Sequence, residues 1–330
     1  MTRVRVLPGL SANGYARHAL HDVDALWVEK NCYVDVLIEL LHTLGLEPLA
    51  LLGSTASVDF DGDGFTFYKP DHEDLRAFYG VDIQELNVWR PLLDHAVHHL
   101  GDGKFLITEA NAFWLPDTSG TDYRRHHVKT TIVIADVDVD ARRLGYFHNA
   151  GYFELDGEDF DRTFRAMPPT PDAVALPLFA EVVRVDRRRT SGPQELAAMA
   201  RERLRVHVAR RPRTNPVARF QAHFEAYLPT MQERGLPHYH AWAFATTRQL
   251  GASMELLARH LEWLARITPS VPLDEAAAQF LQLSATAKAF VLKAARAVNG
   301  KRPFDDTGTF GAMSDAWSRS MTQLAAEIGS

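Results

Sequence analysis

The sequence predicts an α+β domain followed by an all-α helical domain, and two observations carry that expectation. Before residue 190 apolar residues recur with both helical and strand periods, whereas after it nearly every apolar pattern has the helical period. Between the two, Arg184 to Arg219 carries eleven arginines against Asp186, Glu195 and Glu202, in a 330-residue chain whose formal net charge is -6. A junction at Arg189-Thr190-Ser191-Gly192-Pro193 divides 1–190 from 191–330. Ser191 with Gln194 has the spacing of a capping box that opens a helix.

Taken in order, Asn31 to Leu44 reads as a helix, because Val34, Leu37, Ile38, Leu41 and Leu44 follow the i, i+3, i+4, i+7 rule. Gly45 and Pro48 end it. Val58 to Lys69 reads as two short strands about an Asp/Gly turn. Val88 to Leu100 reads as a helix, and Phe105 to Leu115, Thr130 to Val137, Leu144 to Phe147 and Val174 to Val185 as strands. Beyond the junction, Asn215 and Pro216 have the residue types that cap and open a helix, with Val217, Phe220, Phe224 and Leu228 on one face. Further helices are expected over Trp242 to Ile267, Asp274 to Val298 and Phe310 to Ile328.

Composition narrows the function classes. Hydrophobic residues make up 46% and charged residues 24%, the balance of a globular protein with a core of normal size. No run of 18 apolar residues occurs, so no membrane span is expected. The first residues lack the apolar stretch and cleavage site of a secretory signal. The single cysteine, Cys32, cannot form an internal disulfide, which fits a reducing compartment, and a cytoplasmic location is expected. The mild net charge gives no reason to expect a nucleic-acid partner.

Cys32 follows Asn31 and falls in the first turn of an apolar-faced helix. Backbone N–H groups and the macrodipole at such a position favour a thiolate, and free N–H groups there stabilise an oxyanion. His126 and His127 stand just before the strand that begins at Thr130, where a base would be rigidly mounted. His148 and Asn149 stand at the end of the following strand, where Asn149 would fix an imidazole tautomer. Cysteine on a helix, histidine at a strand and asparagine on the next strand is the order of papain-like thiol enzymes, with Cys32 as nucleophile, His127 as base and Asn149 as orienter. The alternative readings are a small buried thiol for Cys32, a surface residue for His127 and an ordinary Asn-Ala-Gly turn for Asn149.

NCYVDVLIELLHTLGLEP, FLITEANAFWLPDTSGTDYRRHHVKTTIVIADVD and GYFHNAGYF look like segments of a bacterial family of unknown function. The N-terminal half of that family is similar to the N-terminal domain of the butirosin-biosynthesis acyltransferase BtrH. The resemblance implies a papain-like core over 1–190 and movement of an aminoacyl group from a carrier-protein thioester to an amine, with Cys32 taking up the acyl group. It also implies a His-x-x-His pair, the second histidine entering the strand. Here His127 is followed at that spacing by Thr130. The implied partners are an acyl or aminoacyl carrier protein and an amine acceptor. No cofactor is implied beyond the phosphopantetheine that carries the substrate. A basic patch made by Arg187, Arg188, Arg189, Arg201 and Arg205 would suit an acidic carrier.

Other signals are set aside. Asp59 to Gly64 matches the first half of a calcium loop, but Pro70 stands where the twelfth-position glutamate is required, so a tight turn is expected. His95, His98 and His99 read as a solvated helix face rather than a metal site, and no metal is expected. Two rivals to acyl transfer remain: a cysteine peptidase or amidase with the same site and water as acceptor, and a non-catalytic binding module on a papain-like scaffold.

Overall fold

The structure, a computed structural model, describes residues 3–164, 178–304 and 306–329. Among these described residues the strands are β1 (Arg3–Arg5), β2 (Asp82–Glu85), β3 (Phe105–Asn111), β4 (Lys129–Asp138), β5 (Arg143–His148), β6 (Gly151–Asp156) and β7 (Ala180–Arg184). The helices are α1 (Cys32–Thr43), α2 (His72–Tyr79), α3 (Leu92–Gly101), α4 (Gly157–Thr163), α5 (Pro193–Ala209), α6 (Pro216–Arg234), α7 (Leu236–Ala245), α8 (Thr247–Ile267), α9 (Val271–Asn299) and α10 (Thr307–Gly329). The fold is therefore α+β in its N-terminal part and helical in its C-terminal region. The described residues contain no helix long and apolar enough to cross a membrane.

The chain forms two compact units. The sheet unit comprises Met1–Asp22, Cys32–Leu46 and Tyr79–Thr190; the helical unit comprises Val23–Asn31, Glu47–Phe78 and Ser191–Ser330. Two stretches before Thr190, Val23–Asn31 and Glu47–Phe78, thus belong to the helical unit.

In the sheet unit all strand pairs are antiparallel, in the order β2-β7-β3-β4-β5-β6, with β1 added beside β4. β4 is rich in β-branched residues, and eight of its ten positions are buried, because both of its faces are covered. Side chains alternate along a strand. Ile132 and Ile134 therefore join Tyr146, Leu106 and Val182 in a core closed by Leu92, Ala96 and Leu100 of α3 and Phe160 of α4. Thr131 and Val133 point to the other face, where the Cys32 thiol of α1 meets Thr131. On that face Tyr15 lies edge-on to Phe147 of β5.

In the helical unit, the long helices α8 and α9 pack side by side, α10 packs on α9, and a ten-residue 3-10 segment, Pro48–Ser57, packs on α5 and α8. Phe220, Phe224, Trp242, Phe290 and Phe310 form one aromatic cluster.

Several expectations are corrected. Val58 to Lys69 is joined by one bridge, Phe60 to Phe65, rather than two strands; the turn Asp61 N–H to Gly64 C=O, 3.0 Å, is present. Its flanks are held by Arg219, which donates to the Phe60 carbonyl and the Asp59 carboxylate. The helix after the junction starts at Pro193 behind Gly192, which makes no side-chain cap, so the Ser191/Gln194 box is not used. Trp242 to Ile267 divides at Thr246 into α7 and α8, with Thr246 φ -115°, ψ -84° breaking the helical path. The strand expected over Val174 to Val185 is observed at Ala180–Arg184; residues 174–177 lie outside the described residues.

Candidate functional site

Cys32 is the first residue of α1 and is partly exposed. Its Sγ–H donates to Thr131 Oγ1 at 3.3 Å. Thr131, 6% exposed, is the strand residue that meets the thiol. Parity explains why: Thr130, which occupies the second position of the His-x-x-His spacing, points to the opposite face. Glu109 of β3 pairs across from Thr131, and Asn111 pairs across from Lys129 on the same face. Continuing the β4–β5 register by one residue past Ile132/His148 places Asn149 across from Thr131.

Asn149 is the first residue of the two-residue hairpin turn between β5 and β6, with φ +43°. Asparagine tolerates that left-handed conformation better than most residues. The structure does not join it to His127. His127 is exposed, stacks on Phe113 (centroids 4.3 Å apart, 18°) and hydrogen-bonds Asn111, Nδ2 to Nδ1 2.9 Å. The direction of that bond is fixed. Asn111 Oδ1 accepts the Phe113 N–H at 3.1 Å, so its amide nitrogen faces the imidazole and donates. The Nδ1 lone pair of His127 is thereby used, and the neutral ring carries its hydrogen on Nε2. His127 can accept a proton only by releasing Asn111.

His126 is exposed, its Nδ1 3.4 Å from Asp122 Oδ1. Asn31 is 3% exposed, and its amide donates to the Tyr68 carbonyl at 2.9 Å. His148 is 1% exposed and lies on the α3/α4 face of the sheet, away from the face that carries Thr131. Its Nδ1–H donates to Asp117 Oδ2 at 2.5 Å, and its Nε2 is hydrogen-bonded with Thr130 Oγ1 at 2.8 Å. Asp117 Oδ1 accepts the Tyr146 hydroxyl at 2.5 Å, and burial, with that carboxylate beside it, holds the Tyr146 phenol well above its ordinary pKa. The network ties the Pro116–Thr118 turn to β4 and β5. Sequence reasoning missed Asp117 and the bond between Thr130 and His148 because nothing local links a Pro-Asp-Thr turn to a strand end. Thr130→Val keeps the shape and strips Nε2 of its partner. It is expected to lower stability by about 1–2 kcal/mol, measured as a shift in the urea midpoint; an unchanged midpoint would show that the bond contributes nothing net.

Other titratable clusters have structural explanations. Asp71, Asp74 and His207 place three ligand atoms within 4.8 Å of one another. Their oxygens are already engaged: Arg203 bonds Asp74 and sits 3.6 Å from Asp71, Arg210 sits 3.5 Å from Asp71, and His207 Nε2 is 2.6 Å from Asp74 Oδ2. A cation would have to displace two guanidinium groups, so this donor set does not fit a metal. His95, expected in solvent, is instead 3% exposed and accepts the Trp89 N–H at 3.4 Å. Burial, with Arg90 nearby, lowers its pKa.

The profile of the DUF1839 N-terminal domain matches residues 16–185, and that of the DUF1839 C-terminal domain matches residues 193–326. The chain belongs to the DUF1839 family. This is a family of unknown function, and the two matches flank the arginine-rich junction. None of the curated proteins compared matches the chain.

Of the five arginines considered for a partner surface, Arg187, Arg188 and Arg189 are exposed between the two family domains. Arg201 donates to the carbonyl and carboxylate of Glu327, 2.8 and 3.1 Å, and Arg205 to the Ile328 carbonyl at 3.1 Å and to Glu202 at 2.8 Å. Both serve the C-terminal end of α10, where cations meet the last carbonyls of a helix.

Proposed function

We propose that this DUF1839 protein is a thiol-dependent acyltransferase in which Cys32 accepts an acyl or aminoacyl group from a carrier-protein thioester and passes it to an amine. The observation that carries the reading is a partly exposed cysteine as the first residue of a twelve-residue helix, with its sulfur 3.3 Å from a strand hydroxyl. The similarity of its motifs to a papain-like acyltransferase domain supports the same chemistry. In the first step the Cys32 thiolate attacks the thioester carbonyl. The bond to the phosphopantetheine sulfur breaks, and that sulfur leaves as a thiolate and takes a proton. In the second step the amine attacks the acyl-Cys32 carbonyl, the carbon–sulfur bond breaks, and the amine proton passes to His127 once its Nδ1 has left Asn111. Asn149 would orient His127 in that rearranged state. Thioester exchange is nearly balanced in energy, so the acyl group stays activated on Cys32.

A second reading, a binding module that has lost its base, is favoured by one observation: the thiol meets the Thr131 hydroxyl and not an imidazole. Intact-mass analysis after incubation with an aminoacyl thioester of pantetheine separates the two. Acyl transfer predicts a gain of one acyl mass in the wild type, no gain in Cys32→Ala, and slower discharge to an added amine in His127→Ala. No gain in the folded wild-type protein supports the binding module. Discharge to free acid with no amide product identifies a hydrolase.

A further inference from the structure

We propose that a cavity walled by the end of α5, the start of α6 and one face of α10 is a binding site for a phosphorylated small molecule. The cavity has a volume of about 450 Å³, within the range of small-molecule sites. It lies wholly within the helical unit, and the proposal is independent of the chemistry assigned to Cys32.

The lining is cationic and rich in donors. Arg211 and Arg213 both contribute to it, and it includes no carboxylate. Arg211 uses Nη1 to donate to the Val208 carbonyl at 2.8 Å, which anchors the guanidinium at the end of α5 and leaves its other N–H groups available. Arg213 is exposed and makes no hydrogen bond or ion pair among the described residues. This sets it apart from Arg201, Arg203, Arg205 and Arg219, which are all engaged within the chain.

Ser318 adds a neutral donor. Its Oγ accepts from Asn215 Nδ2 at 2.8 Å, so its own hydrogen is free for a ligand oxygen. Asn215 Oδ1 accepts the Val217 and Ala218 N–H groups at 2.9 and 3.2 Å, so the first N–H groups of α6 are already capped. The anion is therefore met by guanidinium groups and a hydroxyl rather than by a bare helix end. Trp317, 7% exposed, forms part of the wall, and its Nε1–H is buried without an acceptor.

Two guanidinium groups match phosphate oxygens better than any other common anion-binding pair, because each offers paired N–H groups in a plane. The cavity is several times the size of a bare phosphate, so the occupant carries an organic part. Free phosphate is the competing source of the same chemistry.

The test is titration of the full chain with inorganic phosphate, with the pair adenosine 5′-monophosphate and adenosine, and with the pair 4′-phosphopantetheine and pantetheine. Tryptophan fluorescence is the readout, assigned with Trp317→Phe. The expected result is saturable binding of at least one phosphorylated compound, with its dephosphorylated partner weaker by about tenfold or more. Arg213→Gln is the clean variant, since its side chain holds nothing in place; it and Arg211→Gln are each expected to weaken binding by about tenfold with an unchanged urea midpoint for Arg213→Gln. Saturation by inorganic phosphate with no gain from either organic phosphate overturns the small-molecule assignment. No saturation by any phosphorylated probe up to about 10 mM, or binding that ignores both arginine substitutions, overturns the site. None of these outcomes alters the acyl-mass assay on Cys32, so the two proposals fail separately.

Discussion

His21→Ala is expected to destabilise the sheet unit by about 3–5 kcal/mol, enough to remove a large part of a typical domain's stability. His21 is fully buried between two carboxylates of α1. Its Nε2 is 3.1 Å from Asp35 Oδ1, and its Nδ1 donates to Glu39 Oε1. Glu39 also accepts the Tyr15 hydroxyl at 2.6 Å and the His18 N–H at 3.0 Å. Burial alone would raise the Glu39 pKa. The His21 and Tyr15 hydrogen bonds, the His21 charge and the His18 N–H outweigh it, and the net result lies below the ordinary 4.5. Both ring nitrogens of His21 face carboxylates, and the His21 charge is among the causes that lower the Glu39 pKa. Removing it leaves two buried carboxylates facing each other. The cluster fixes α1 to the Tyr15–His21 segment, so it also fixes the helix that begins with Cys32. Because the Glu39 pKa is depressed on folding, its contribution is fully present above about pH 4.5 and is lost as pH falls through the lower, folded value. Urea titrations at neutral pH measure the His21→Ala loss, and a midpoint within error of wild type would refute the ion cluster. Replacing His21, Asp35 and Glu39 together with apolar residues is expected to cost much less than His21→Ala, since no charge is then stranded.

What the sequence made legible follows from range. α1 and the strands β3, β4 and β5 were readable because the helical period of Val34, Leu37, Ile38 and Leu41, and the short β-branched run in KTTIVIADVD, are signals carried within a few positions. β6 was not, because GYFELD follows a turn that reads equally well as the end of β5, and its pairing with β5 is what makes it a strand. The position of Cys32 at a helix start was also readable. Its neighbour was not. Whether Thr130 or Thr131 meets the thiol depends on which face of β4 turns toward α1, and a one-residue change of parity exchanges the two. The same parity carries His148 away from the thiol's face and into a network with Asp117, 31 positions away in the chain. His127 hydrogen-bonds Asn111 on β3, sixteen positions away, a contact that no local pattern shows. Arg201 and Arg205 look like a free basic face until α10 is in place, because the groups that engage them, Glu327 and Ile328, lie more than a hundred positions away.

The second large effect is acid sensitivity of the helical unit through His260. His260 Nδ1–H donates to the Leu49 carbonyl at 2.8 Å, while Nε2 is buried without a partner against Gly53. Burial drives its pKa down to about 4 from 6.5. The Leu49 carbonyl pulls upward, His207 adds to the lowering and Asp74 opposes it. Between these two pKa values the unfolded chain binds a proton that the folded chain does not. Stability contributed by the neutral ring is therefore intact above about pH 6.5 and falls as pH drops toward 4, by about 1.4 kcal/mol per pH unit, or about 3 kcal/mol in total. This window lies above the one set by Glu39, so the two are separable in a single pH series. His260→Leu removes the titrating group together with its hydrogen bond to the Leu49 carbonyl, which lowers stability at every pH. The discriminating quantity is therefore the slope. Wild type should lose stability between pH 6.5 and 4 more steeply than His260→Leu by about one proton's worth. Parallel slopes would mean that His260 is protonated in the folded protein at the same pH as in the unfolded one. Gly53→Ala tests the packing behind this shift: its Cβ would stand 2.8 Å from His260 Nε2, so the ring must move, and a lower midpoint at pH 7 is the expected consequence.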